Sequence, residues 1–114
     1  MSGISTHVLD TARGVPARDV PVRLEWQESP DSWRLLASAS TDQDGRCSQL
    51  LPDGPNLLAG HYRLSFDTER YFAAQEIRGL YPSVQITFTV RAGEAHFHIP
   101  LLLSPCGYTT YQGS

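Results

Sequence analysis

The residues of this sequence best equipped for chemistry are its histidines and one arginine. The histidines are His7, His61, His96 and His98, and imidazole is the side chain that exchanges a proton near neutral pH without help from its surroundings. His96 and His98 lie two apart in His96-Phe97-His98-Ile99-Pro100-Leu101-Leu102-Leu103. On a strand that spacing puts both imidazoles on one side, with Phe97, Ile99, Leu101 and Leu103 on the other. The two rings therefore leave the core together, and Leu102 on their side points to an interface. His7 sits in a first strand from Ser5 to Leu9, on the side that carries Ser5 and Leu9. Arg46 directly follows Asp44-Gly45, a turn that holds its guanidinium at the mouth of a strand. Neutral imidazole beside a permanent cation suits proton transfer to and from water, with electrostatic stabilisation of the charge that develops.

Other chemistries fit less well. His-x-His on a strand spaces its side chains about 6 to 7 Å apart at their bases, and with His7 it could chelate zinc. Arg46 opposes a bound cation there, and no metal or cofactor is expected. Ser104 and Ser114 have no base and orienting group at a recognisable spacing, which argues against covalent catalysis. No phosphate loop, zinc-protease helix or nucleophile elbow is present. His61 begins a strand and carries no assigned role. Tyr108 to Ser114 is polar and aromatic with no charged side chain, a composition suited to packing against something and not to floating as a tail.

Strands must position these residues. Ser83–Val90 alternates Val84, Ile86, Phe88 and Val90 with Gln85, Thr87 and Thr89, a period of two with one buried face. Val20–Gln27 repeats the pattern through Val22, Leu24 and Trp26. Trp33–Ser40 follows a Ser29–Ser32 turn, and Arg46–Leu50 follows the Thr41–Gly45 turn. Gly60–Phe66 and Ala95–Ser104 complete the strands, with Arg91–Glu94 as a hairpin loop before the last. Asp67 can cap a short helix over 67–75, which Gly79 and Pro82 end. Turns every ten residues or so punctuate an antiparallel two-sheet sandwich of seven or eight strands.

Composition bounds the rest. The chain has 114 residues, nine basic and twelve acidic side chains and a net charge of -3, one domain over 1–114. A chain of this size buries roughly two-thirds of its unfolded surface, enough for one core but not for a deep private pocket as well. A small-molecule site must be shallow or completed by another subunit. The acidic balance excludes a nucleic-acid partner, which needs a basic footprint. No run approaches the ~20 apolar residues of a membrane span, and Met1–Asp10 lacks a basic region followed by an apolar one. A cytoplasmic protein is expected, with Cys47 and Cys106 as free thiols. All nine basic residues are Arg, a bias that a GC-rich coding sequence explains.

Four collinear blocks carry a family resemblance. His7-Val8-Leu9-Asp10-Thr11-Ala12-Arg13-Gly14-Val15-Pro16-Ala17 resembles the N-terminal signature of the transthyretin-like proteins. Thr41–Arg46 resembles their Asp-Gly-Arg turn, Tyr81–Val90 the next block and His96–Ser114 the C-terminal one, so that nearly the whole chain is spanned. His7, His98 and the Tyr111-Gln112-Gly113-Ser114 ending are similar to the branch that hydrolyses 5-hydroxyisourate, whereas the hormone carriers have Lys and Thr at the two His positions. The resemblance implies a transthyretin-like, all-β two-sheet sandwich of about eight strands with one short α-helix, assembled as a homotetramer, a dimer of dimers. It implies active sites where dimers meet, with His7, Arg46 and His98 catalytic and His7, Arg46, Tyr111 and Ser114 holding the substrate. Gln112 departs from the Arg usual in that branch, and Cys106 from a position commonly aromatic. The competing expectation is a transthyretin-like carrier of a small ligand without catalysis.

Overall fold

Alternating burial along the strands sorts the chain into two stacked sheets. The computed structural model describes residues 3–51 and 57–114. Among these the elements run β1 (Gly3–Asp10), β2 (Val15–Pro16), β3 (Pro21–Ser29), β4 (Ser32–Ser40), β5 (Arg46–Leu51), β6 (Gly60–Phe66), α1 (Thr68–Ala73), β7 (Val84–Val90), β8 (His96–Ser104) and β9 (Gly107–Thr110). One sheet has the order β4-β3-β6-β7 and the other β2-β1-β8-β9, with β5 also paired to β1. The expected sandwich with one short helix is therefore present.

Two strands were not expected: β2, of two residues, and β9, which folds the C-terminal run back against β8. Two connections also differ from expectation. β1 and β8 are parallel, pairing Ser5 with His98 and His7 with Pro100. Parallel neighbours need a crossover, and here almost the whole chain, including the second sheet, lies between them. β7 and β8 belong to different sheets, so Arg91–Glu94 is a step between layers and not a hairpin loop. The turn closes itself: the Glu94 N–H donates to the Arg91 carbonyl at 3.1 Å, and the Glu94 carboxylate accepts the Arg91 N–H at 2.7 Å.

The core forms where the inward faces meet. Val22, Leu24, Leu64, Phe66 and Val84 from one sheet are buried with Ile4, Val8, Ile99, Leu101 and Leu103 from the other. Phe88 bridges the layers, its ring centroid 5.8 Å from Tyr62 and 5.7 Å from Phe97. With Ile4, Thr6, Val8 and Asp10 turned inward, strand geometry sends Ser5, His7 and Leu9 outward. On β8 the same rule sends His96, His98 and Leu102 outward.

Helix α1 begins where expected. The Asp67 carboxylate accepts the Arg70 N–H at 3.0 Å, satisfying one of the donors that a helix start leaves open. It ends at Ala73, two residues short of the expected span, because Glu76 takes a left-handed φ of 57°. Its buried Tyr71 donates a hydrogen bond of 2.7 Å to Asp10 on β1, tying the helix to the opposite layer. Among the described residues no helix is long and apolar enough to cross a membrane. Cys47 is buried and Cys106 exposed, both as free thiols.

Candidate active site

The outward face of the five-stranded sheet gathers most of the chemically capable residues. An open cavity of about 220 Å³ is lined by Ser5, Thr6, Arg46, Ser48, His96, His98 and Ser114. Three strands and the C-terminal tail supply these residues.

Arg46 is placed by the turn before β5. The Asp42 carboxylate accepts the backbone N–H of Asp44 at 2.8 Å and of Arg46 at 3.0 Å. These bonds, that from Arg46 first, hold the Asp42 carboxyl below its ordinary value, since donors aimed at a carboxylate favour its ionised form. Gly45 sits at a φ of 74°, a conformation that a side chain resists. A Cβ there would also run into the Val8 carbonyl, so glycine lets the turn lie flat on β1. Among the described residues no carboxylate lies within ion-pair distance of the Arg46 guanidinium, Arg63 with Glu25 being the pair that forms.

His98 is held from two sides. Its Nδ1 is 2.8 Å from the Ser5 hydroxyl, a contact that orients the ring with either tautomer because a hydroxyl both donates and accepts. On the other side the Gly113 N–H donates to the His98 carbonyl at 2.8 Å. Gly113 packs so closely that a Cβ would come within 2.8 Å of His98 Cδ2. Partial burial, and then the Arg46 guanidinium and the nearby His7 and His96 rings, push the His98 imidazole below its ordinary 6.5. Both effects disfavour a charged ring, so at neutral pH His98 is an uncharged base.

His7 occupies the register position beside Arg46. Its Nε2–H donates to the Asp44 carbonyl at 2.9 Å. A carbonyl can only accept, so in the neutral ring the proton is on Nε2 and the lone pair on Nδ1. His7 does not line the cavity, though it lies near enough to influence His98 electrostatically.

The tail is an extension of the β8–β9 pairing. Thr110 Oγ1 donates to the Pro100 carbonyl at 2.7 Å, and the chain continues antiparallel to β8 until Gly113 bridges His98. That path brings Ser114 into the cavity. Tyr111 is 55% exposed and is not in the lining. His96 and His98 share the outward side as their spacing requires, yet His96 is exposed while the tail half-buries His98.

Ser5 is the residue that sequence spacing alone passes over. Its parity with His7 was legible, but its contact with a histidine 93 positions away depends on the parallel β1–β8 pairing. Among the described residues no three His, Cys, Asp or Glu side chains are grouped to hold a metal ion.

Known proteins resemble this chain along nearly its whole length. Mouse 5-hydroxyisourate hydrolase is 46% identical over 114 residues, covering 99% of this chain and 96% of the mouse protein. The structure of Klebsiella pneumoniae 5-hydroxyisourate hydrolase superimposes with a TM-score of 0.85 at 37% identity, covering 100% of both chains. Sea bream transthyretin in complex with thyroxine superimposes equally well, with a TM-score of 0.86, at 29% identity over 96% of this chain and 93% of that one. Shape alone therefore does not separate the hydrolases from the carriers, and residues must do so. The HIUase/Transthyretin family model matches residues 4–113, and the chain belongs to that family.

Proposed function

We propose that the protein is an enzyme that hydrolyses 5-hydroxyisourate to 2-oxo-4-hydroxy-4-carboxy-5-ureidoimidazoline, a step of urate degradation. Full-length similarity to hydrolases that carry this activity in their names supports the substrate. The observation that carries the reading at residue level is the convergence of His98, its charged form disfavoured, with Ser114 and an Arg46 that has no ion-pair partner among the described residues, on one open cavity.

Hydrolysis adds water to an acyl carbon of the six-membered ring and breaks the adjacent carbon–nitrogen bond. His98, uncharged and oriented by Ser5, accepts the proton that water loses as it attacks. Arg46 faces the negative charge that builds on the acyl oxygen, and its fixed guanidinium also orients a polar substrate. His7, anchored through Nε2, keeps Nδ1 free to relay a proton to the departing nitrogen. Ser114 bounds the site from the tail side, and Tyr111, outside the lining of one chain, is left to meet the substrate where a second subunit completes the site. No cofactor enters these steps.

The carrier reading has no comparable support: a pair of imidazoles and a bare guanidinium at the cavity serve proton transfer better than passive binding. We further propose a homotetramer, a dimer of dimers, in which a second subunit completes the site. The openness of the cavity and the half-buried Leu9 and Leu102 on the same outward face support this. Two free thiols support residence in a reducing compartment, the cytoplasm.

The test is optical. Urate oxidase generates 5-hydroxyisourate in the cuvette, and its absorbance decays with or without the protein. Decay faster than spontaneous opening is the expected result, and an unchanged decay at micromolar protein overturns the proposal.

A further inference from the structure

A larger cavity, of about 1120 Å³, lies at the opposite end of β1 from His98, between the β1–β2 turn, the end of β4 and helix α1. Three of the nine arginines line it, Arg13, Arg18 and Arg70, against one carboxylate, Asp19. In a chain of net charge -3, that is a local reversal of sign. Among the described residues none of these arginines lies within ion-pair distance of an acid, since the pair that forms is Arg63 with Glu25. The buried carboxylate beneath the cavity is already committed: Asp10 accepts the Tyr71 hydroxyl on one oxygen and the Arg13 N–H on the other, at 2.7 and 3.1 Å. It therefore turns its acceptors to the backbone and the helix. Arg13 is steadied by a 3.2 Å hydrogen bond from Nη1 to Gln75 Oε1 and lies beside the Tyr71 hydroxyl; with five N–H donors on a guanidinium, these two neighbours leave donors for a guest.

Guanidinium forks match the paired oxygens of carboxylates and phosphates. The volume slightly exceeds the roughly 300–1,000 Å³ of ordinary small-molecule sites, room for an organic molecule as well as a simple ion. We propose that this cavity binds a small organic anion carrying two or more carboxylate or phosphate groups, at a site separate from the His98 cavity. The two cavities share no lining residue, so occupation of one is separable from occupation of the other.

Calorimetric titration of the full chain at low ionic strength, with citrate as the polycarboxylate and ADP as the pyrophosphate, tests the proposal. One saturable site per chain for at least one probe is expected, and the tighter probe identifies the chemical class. The double substitution Arg18→Gln, Arg70→Gln, at two exposed positions, should weaken binding by at least about tenfold, while Arg46→Gln leaves it unchanged. Amide shift mapping on the unmodified protein, expected to move 13–19 and 70–75, keeps the test decisive if the double variant folds poorly. Lack of saturable binding of either probe at millimolar concentration overturns the proposal. So does binding that Arg46→Gln abolishes and the double variant retains.

Discussion

The outward faces of the two sheets carry the same kinds of side chain and use them oppositely. On the four-stranded sheet Arg63 is neutralised by Glu25 at 2.9 Å and covers the Trp33 ring at 4.2 Å. His61 there meets the exposed Thr89 hydroxyl at 3.2 Å. On the five-stranded sheet Arg46 has no such acid among the described residues, and His98 is half-buried against Ser5 with its charged form disfavoured. An arginine is thus paired off on one face and lies without an acid among the described residues on the other, and a histidine is exposed on one and half-buried on the other. Residue type alone does not distinguish the two faces; the neighbours that each side chain is given do.

Substitution of matched residues on the two faces tests that contrast. The largest separation is expected between the histidines. His98→Asn should lower turnover by about a hundredfold or more, the usual contribution of a general base, whereas His61→Asn should leave it unchanged in the same absorbance assay. His7→Asn should fall between them, and full activity in both His7 and His98 variants overturns their assignment. Next come the arginines: Arg46→Gln is expected to reduce kcat about a hundredfold through lost charge stabilisation, while Arg63→Gln costs about 1 kcal/mol of stability or less, read by denaturant unfolding, with kcat intact. Gly113→Ala should cost about tenfold in activity by displacing His98, with little change in Tm.

Protonation provides a finer test. His98 has a lower pKa folded than unfolded, so the unfolded chain binds the extra proton first. Its contribution to stability is therefore present above its ordinary 6.5 and declines as pH falls from there through the folded value. Activity should fall over the same acid range as the base is lost, and His98→Asn should flatten that part of the stability profile. The smallest effect is expected for Ser5→Ala, a loss of about three- to tenfold in turnover for one orienting hydrogen bond.

Much of this arrangement is legible in the sequence, because strand parity and turn chemistry are local. Val84–Val90 and Gly60–Phe66 announce themselves by alternation, Asp67 by its capping position, and His96 with His98 by their spacing. The parallel pairing of β1 with β8, the separation of β7 from β8 into different layers and the return of Gly107–Ser114 along β8 depend on partners far away in the chain. No local pattern reports them. For the same reason Arg46 and His98 are nameable as candidates, while the contact of Ser5 with His98 and the anchoring of His7 on Asp44 are not. The arginine cavity is also invisible in one dimension: Arg13, Arg18 and Arg70 come together only when α1 folds over the β1–β2 turn.

The parallel register of β1 and β8 has a consequence for how the molecule comes into being. Ser5 and His98 are 93 residues apart, and pairings so distant in sequence close late and slowly, because a long loop must be ordered before the contact rewards it. During synthesis the first strand emerges with its parallel partner still untranslated, and the four-stranded sheet can be complete before β8 exists. The His98 cavity is therefore the last feature the chain assembles. A nascent or clipped chain lacking β8 holds a strand edge open for pairing, an aggregation hazard, and lacks the imidazole to which we assign the base.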